Sequence, residues 1–160
     1  MQRGAEGLLS KGDKGVGVDI EPVSTFADVT AKQEFINRNF TAAEQSYAAQ
    51  SSDPSSTYAG RWAAKEAVVK AISSTRPDVK LTQGDDAALI DIEVLTSSSG
   101  AQPNLLGATY GYSLGTCASG APVVEVHGHA AEVMKVLGIT DIKVSISHSA
   151  EVAIAQAIAR

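Results

Sequence analysis

The longest periodic segment of the chain, from about residue 57 to residue 73, has the spacing of an amphipathic helix. Tyr58, Trp62 and Val69 can lie on one broad apolar face, and Glu66 lies on or near that face. Burying a carboxylate costs on the order of several kcal/mol unless the group is paired or bound to a metal. The segment therefore predicts a long helix that packs against other elements and carries charge close to the contact.

Short apolar runs bounded by turn residues predict strands at both ends of the chain. The first run covers residues 16–20 and stops at Pro22, which cannot donate a hydrogen bond to a sheet. Alternation predicts further strands at residues 88–95 and 143–147, and we also predict a strand at residues 122–127. Residues 151–159 are apolar nearly throughout and β-rich in their first half, so we interpret them as a buried strand. We expect the last two strands to form a hairpin, with the sequence HSAE as its turn.

Further helices are predicted at residues 30–40, 41–49 and 128–137. Thr41 and Glu44 form a capping-box pattern at the start of the second, and Gly138 is a suitable end for the third. Residues 51–56, with the sequence SSDPSS, predict a turn before the long helix. Because strands and helices follow one another in a mixed order, the predicted class is α+β.

The length of 160 residues suits one domain with its own core. Residues 1–14 are polar and rich in glycine, so we interpret them as a linker or tail and residues 15–160 as the domain. Residues 97–120 are rich in Gly, Ser, Thr and Ala and fit neither a helix nor a strand. We interpret this stretch as an insertion within the domain.

The composition restricts the partners and the cell compartment. A net charge of −5 argues against nucleic acid as the main partner, because that binding needs cations to neutralise phosphates. The sequence contains no apolar run of about 20 residues, so we expect no membrane helix. Cys117 is the single cysteine, which excludes an internal disulfide and favours a reducing, cytoplasmic location.

Three carboxylates are the candidates for a metal site. Asp19 and Glu21 lie two residues apart at the end of a predicted strand, so their side chains point to the same side of it. Together with Glu66 from the helix they offer the oxygen ligands that Mg²⁺ prefers. The alternative is a turn acid and an exposed strand end, with Glu66 in a surface ion pair with Lys70 four residues later.

Basic residues on the long helix are candidates for binding phosphate. Arg61 and Lys65 are four residues apart, as are Glu66 and Lys70, so the cations could form a stripe along the helix. The alternative is an ordinary solvated helix face. His148, after the predicted strand 143–147, is a candidate phosphate contact or acid–base group.

These pieces together resemble the holo-acyl-carrier-protein synthase family of 4′-phosphopantetheinyl transferases. GVGVDIE resembles the first motif of that family, and GRWAAKEAVVKA resembles its second motif, WxxKExxxK. KVSISHSAEVAIAQAI resembles its final pair of strands. NFTAAE and HGHAAEVMKVLGI bring the chain closest to the transferase domains fused to type I, fungal-like fatty acid synthases, and the insertion at residues 97–120 departs from the family pattern.

The resemblance implies a compact fold in which an antiparallel or mixed sheet packs against a long helix. It implies Mg²⁺-dependent transfer of 4′-phosphopantetheine from coenzyme A to a serine of an apo acyl carrier protein in fatty acid synthesis. The other product is adenosine 3′,5′-bisphosphate. The implied assembly is a homotrimer for an excised domain, or a part of a large fatty acid synthase.

The family motifs assign the candidate residues as follows. Asp19, Glu66 and Lys70 are catalytic, and Asp19, Glu21 and Glu66 hold the metal. Lys70 binds the pyrophosphate of coenzyme A, and Lys65 either contacts phosphate or forms a structural ion pair. Arg61 and His148 are assigned to the 3′-phosphate and its neighbouring oxygens.

Two other readings of the same residues stay open. A catalytically inactive domain would bind coenzyme A, or act as a scaffold in a larger synthase, without transferring anything. An unrelated Mg²⁺-dependent nucleotide hydrolase would use the same acids without any carrier protein.

Overall fold

A computed structural model describes residues 12–79, 81, 89–97 and 120–160. Within these ranges short 3₁₀ turns occupy Val23–Phe26 and Thr30–Lys32. The helices are α1 (Gln33–Asn39), α2 (Ala42–Ala49), α3 (Pro54–Thr75) and α4 (Gly128–Leu137). The strands are β1 (Gly15–Pro22), β2 (Ile92–Thr96), β3 (Pro122–Val126), β4 (Ile142–His148) and β5 (Val152–Ala159).

The strands form two antiparallel groups, which confirms the predicted α+β class. β5 lies between β1 and β4, so the predicted hairpin of the last two strands is correct. β2 pairs with β3, with Ile92 opposite Val126 and Val94 opposite Val124, as expected for strands that flank an insertion. The predicted strand at 88–95 begins later than expected, because the ladder starts only at Ile92.

The long helix α3 packs directly on β1 because two glycines leave room for it. A Cβ atom at Gly17 would overlap the carbonyl oxygen of Ala67, and one at Gly15 would overlap that of Ala71. β1 therefore lies against the backbone of α3 itself, without an intervening side-chain layer. This close approach brings Asp19, in the middle of β1, next to the middle of α3, and β1 continues through Pro22, which was predicted to stop it.

Helix α3 begins three residues earlier than the sequence pattern predicts, so the predicted turn at residues 51–56 is wrong in its second half. Asp53 caps the helix by accepting a hydrogen bond from the backbone N–H of Ser56 at 3.0 Å. Pro54 follows at the first helical position, where its fixed φ suits a helix and its missing N–H costs nothing. The predicted capping box of Thr41 and Glu44 and the end of α4 at Gly138 are both confirmed.

Two apolar clusters hold these elements together. In the larger one α3 packs against β2, β3, α4 and alternate residues of β5, among them Ala155 and Ala157. The smaller one is aromatic and lies at the start of α3, where Phe40 and Tyr58 pack edge to face at 5.0 Å between ring centroids. The chain has few aromatic residues, so concentrating them at one end of α3 stiffens the part of the helix that meets α1 and α2.

Two sequence interpretations fall outside the described residues. Residues 1–11 contain most of the predicted linker, and residues 98–119 contain nearly all of the predicted insertion. Ser97 and Gly120, the first and last residues of that predicted stretch, lie close together, since the N–H of Gly120 donates to the carbonyl of Ser97 at 2.9 Å. Across the described ranges, no helix has the length and apolar character needed to cross a lipid bilayer.

We expect Gly17→Ala to destabilise the domain by about 3 kcal/mol or more, because a methyl group cannot enter the contact with α3 without moving the strand. Urea denaturation followed by circular dichroism measures this. Val18→Ala is the matched control, since the neighbouring side chain is 47% exposed on the other face of β1. Equal stability of the two variants would show that the glycine contact is not needed.

Candidate active site

Asp19 and Glu21 lie on the face of β1 that turns toward α3. Their neighbours on that face, Gly15 and Gly17, are buried against the helix, whereas Val18 and Ile20 point outward and are exposed. The predicted placement of both acids on one side of the strand is therefore confirmed. Asp19 is largely covered, with 14% of its side chain exposed.

Lys70, in the second half of α3, is the oppositely charged partner of Asp19. The ammonium group of Lys70 lies 2.7 Å from Oδ1 of Asp19 and also donates to the carbonyl of Val18 at 3.2 Å. Half of the Lys70 side chain is exposed, so this contact lies at an opening and not in the core. The two segments that carry the first and second sequence motifs thus meet through one ion pair.

Glu66 lies one turn before Lys70 on the same helix and belongs to the same group of charges. Burial, followed by the negative charge of Asp19, raises the pKa of Glu66 above its ordinary value, and Lys70 opposes this shift. Glu21 adds a further upward contribution. The three predicted acids therefore act on one another, with Lys70 as their counter-charge.

The ligand atoms of these acids are not gathered tightly enough to surround a cation on their own. Among the described residues, the group whose ligand atoms all lie within 4.8 Å of one another is Glu93 on β2, Glu125 on β3 and His127 just after β3. A cation held by Asp19 and Glu66 would take its remaining ligands from water or substrate oxygens. Mg²⁺ is commonly bound in this way.

His148 ends β4 and lines a cavity of about 440 Å³ beside the start of α3. His148 and Glu21 are both paired with Ala153 of β5, so their backbones are about 10 Å apart on opposite sides of one strand. The cavity is therefore at the same end of the sheet as the acids. Its other lining residues are Tyr47, Gln50, Ser51, Ser52, Asp53, Ser56 and Thr57.

Lys65 does not face the acids. It is completely buried, and its ammonium group lies 2.9 Å from Oε2 of Glu44 and donates to the carbonyls of Leu89 and Ile92. Burial lowers the pKa of Lys65, and the Glu44 carboxylate opposes that shift. Of the two roles predicted for Lys65, this geometry supports the structural ion pair and leaves no access for a phosphate.

Arg61 is also buried and is held by protein groups. Its Nε donates to the carbonyl of Val94 at 3.1 Å, and its second amino group donates to Oγ1 of Thr96 at 3.3 Å. Its guanidinium lies over the ring of Tyr47, 4.1 Å from the ring centroid. Arg61 therefore reaches the wall of the cavity through Tyr47, and the predicted direct contact with phosphate would require these bonds to break.

The sequence interpretation missed Glu44, Tyr47 and Asp53. Glu44 was assigned only to a capping box, and no local pattern shows that it meets Lys65, which is 21 residues away. Asp53 falls in the predicted turn, yet it caps α3 and lines the same cavity as His148. The dipeptide Asp-Pro before an amphipathic segment is the signal that predicts this cap.

Comparisons with known proteins agree with this geometry. Residues 15–130 match the model of the 4′-phosphopantetheinyl transferase superfamily. The chain belongs to this superfamily. The match includes β1, with Asp19, and the whole of α3, with Glu66 and Lys70.

Three individual proteins show how similar this chain is to members of the superfamily. The fatty acid synthase subunit alpha of Schizosaccharomyces pombe is 34% identical over 151 residues, which is 94% of this chain but only 7% of that subunit. The acyl carrier protein synthase of Mycobacterium tuberculosis is 30% identical, with a TM-score of 0.59 over 93% of this chain and 98% of that one. A Chronobacterium ammoniagenes ACPS–CoA complex is 26% identical, with a TM-score of 0.66 over 91% and 96% of the two chains. The predicted resemblance, including its link to fungal fatty acid synthases, is thereby confirmed.

We expect Glu66→Gln to stabilise the domain in metal-free buffer near pH 7. Because its folded pKa lies above its ordinary value of 4.5, the stabilising contribution of Glu66 is present at low pH and is lost as pH rises through the folded pKa. The gain from the amide should therefore disappear at about pH 3, well below the ordinary value of 4.5, where the carboxyl is protonated in both states. Thermal denaturation across this pH range in chelator measures it. The control is Glu151→Gln, in an exposed turn, and an equal response of both variants would contradict the assignment.

We expect Lys65→Met to cost about 3–5 kcal/mol, because it leaves the Glu44 carboxylate buried without a cation. Lys70→Met, which breaks an exposed pair on the same helix, should cost less than about 1 kcal/mol. The double variant Lys65→Met/Glu44→Gln should regain part of the loss. Urea denaturation measures the free energy of unfolding of all three variants. An equal loss for the two single lysine variants would show that the buried pair contributes no more to stability than the exposed one.

Proposed function

We propose that this domain transfers 4′-phosphopantetheine from coenzyme A to a serine of an apo acyl carrier protein, as part of fatty acid synthesis. The observation that carries the proposal is the 2.7 Å contact between Asp19 and Lys70. It joins the two motif segments of a transferase superfamily at one opening, beside Glu66. The relatives that are fatty acid synthase subunits support the carrier protein as acceptor.

The proposed metal ligands are Asp19 and Glu66, with Glu21 as a third acid. The donor set fits Mg²⁺, because all three offer hard carboxylate oxygens and Asp19 already takes a cationic group in Lys70. When bound there, Mg²⁺ would bind phosphate oxygens of coenzyme A and neutralise their charge. Lys70 provides a second positive charge for the pyrophosphate.

In the proposed reaction, a bond forms between the carrier serine oxygen and the phosphorus next to pantetheine. The bond from that phosphorus to the oxygen of adenosine 3′,5′-bisphosphate breaks, and Glu66, directly or through a water molecule beside Asp19, accepts the serine proton. A raised pKa suits Glu66 to this role, because a weaker acid is a stronger base. Lys70 stabilises the charge that develops on the leaving phosphate.

The cavity at His148 is our proposed site for the adenosine end of coenzyme A. Asp53 and Glu66 are 13 positions apart on α3, about 20 Å along the helix, so an elongated ligand is needed to connect the cavity with the acids. His148 can provide a proton donor for the 3′-phosphate. In this arrangement Arg61 supports the cavity wall through Tyr47, in place of the direct phosphate contact predicted from sequence.

The oligomeric state that we propose for the isolated domain is a homotrimer, with incorporation into a large synthase as the alternative context. The outer face of the β1–β5 sheet supports association, since Val18, Ile20, Val152 and Ile154 are each 42–60% exposed there. Sedimentation equilibrium would contradict the trimer by showing a monomer at micromolar concentration. We also retain the prediction of a cytoplasmic location, which rests on the single cysteine.

We expect Asp19→Ala and Glu66→Ala each to remove most of the transfer while the domain remains folded. Mass spectrometry of an apo-carrier panel, incubated with coenzyme A and Mg²⁺, detects the added arm. Glu151→Ala, outside the site, should transfer at the normal rate. Near-normal Mg²⁺-dependent turnover in both acid variants would overturn the metal assignment. Binding of coenzyme A without any product would indicate an inactive binding domain, and product release without a carrier would indicate a hydrolase.

A further inference from the structure

Lys70 occupies the place where a cation would meet Asp19. Its ammonium group donates to Oδ1 of Asp19 at 2.7 Å, and a second hydrogen bond to the carbonyl of Val18 holds it against the middle of β1. Asp19 is mostly covered, so few directions of approach to its carboxylate remain. Lys70 thus holds the acid in the same region that a metal would need.

We propose that Lys70 is an exchangeable counter-ion of the acidic group and competes with the divalent metal for Asp19. In this view Lys70 leaves Asp19 when the metal binds and then becomes available to substrate phosphate. The inference rests on the proposed function, to which it adds a second role for a residue already assigned to phosphate. The lysine becomes a positioning residue that sets the affinity of the metal site.

The placement of Lys70 makes such an exchange physically accessible. Half of its side chain is exposed, and its long flexible stem can move the ammonium group without disturbing α3. An exposed ion pair contributes little to stability, so breaking it has a small cost. Lys65, five positions earlier, shows the contrasting case, because its buried bonds to Glu44 and two carbonyls prevent the same movement.

Charge explains why a lysine is useful there when no metal is bound. Asp19 and Glu21 carry the same charge as Glu66 and add to the effect of burial in raising the pKa of Glu66, whereas Lys70, 2.7 Å from Asp19, opposes that shift. A metal ion at the same carboxylate would repel the ammonium group at short range. The two cations therefore exclude each other from Oδ1 of Asp19.

The test is a titration of the full domain with Mn²⁺ alone, in low-salt buffer without coenzyme A. Electron paramagnetic resonance measures the free Mn²⁺ at each step and so gives the affinity. Lys70→Met should bind Mn²⁺ about two- to five-fold more tightly than the wild type, which corresponds to the strength of an exposed ion pair. Added salt should reduce this difference. Lys70→Gln serves as a second neutral variant, and circular dichroism checks that both are folded. The matched control is Lys135→Met, which removes the same charge from the exposed face of α4 and should change Mn²⁺ affinity less.

The outcomes separate this inference from the proposed function. Unchanged or weaker Mn²⁺ binding by both Lys70 variants, together with metal-dependent transfer by the wild type, overturns only the exchange. No Mn²⁺ binding by any of the proteins overturns the exchange and the metal assignment together. A gain that persists when Asp19→Asn is combined with Lys70→Met also overturns it, because the competition must then lie at another group.

Discussion

A buried ion pair between Glu44 and Lys65 connects elements of the core that are far apart in the sequence. Two charges without solvent are tolerated only when their remaining hydrogen-bonding capacity is filled. Here Glu44 also accepts from the backbone N–H of Val94 at 3.0 Å and from that of Thr41 at 2.8 Å, while Lys65 donates to two carbonyls around β2. One pair thus connects α2, α3 and β2, which are distant in sequence.

The same ion pair also helps to satisfy backbone groups at one edge of the small sheet formed by β2 and β3. Among the residues that the structure describes, β2 has a strand neighbour, β3, on one side only, so backbone groups on its other edge need other partners. Side chains from the helices take the place of a third strand there, with Glu44 on the N–H of Val94 and Arg61 on its carbonyl. This explains why three charged residues are buried in a domain of ordinary composition.

Helix α3 has one charged residue buried in the core and two others at the candidate site, and the spacing of these residues along the helix explains the difference. Lys65 points into the core, whereas Glu66 and Lys70 point toward β1, because successive helical residues are separated by about 100°. The glycines of β1 let the strand approach closely enough for Asp19 to reach Lys70. The face of α3 that carries Lys65 therefore packs in the core, and the face that carries Glu66 and Lys70 forms the candidate site with β1. Burial and the nearby charge of Asp19, which together raise the pKa of Glu66, are a local cost that the packing of the rest of the domain offsets.

Four features are predictable from residues that are close together in the chain. They are the order of strands and helices, the capping box at Thr41, the shared face of Asp19 and Glu21, and the family, which the motifs identify. These features depend on residues close together in the chain, where periodicity and capping act. Only the tertiary structure decided which lysine of WxxKExxxK is structural and which is available to a ligand. That choice depends on Glu44 and on the glycines of β1, which approach α3 from distant parts of the chain. A helical repeat shows that Lys65 and Lys70 lie on different faces, but the partner that packs against each face determines whether its charge is buried or free to move.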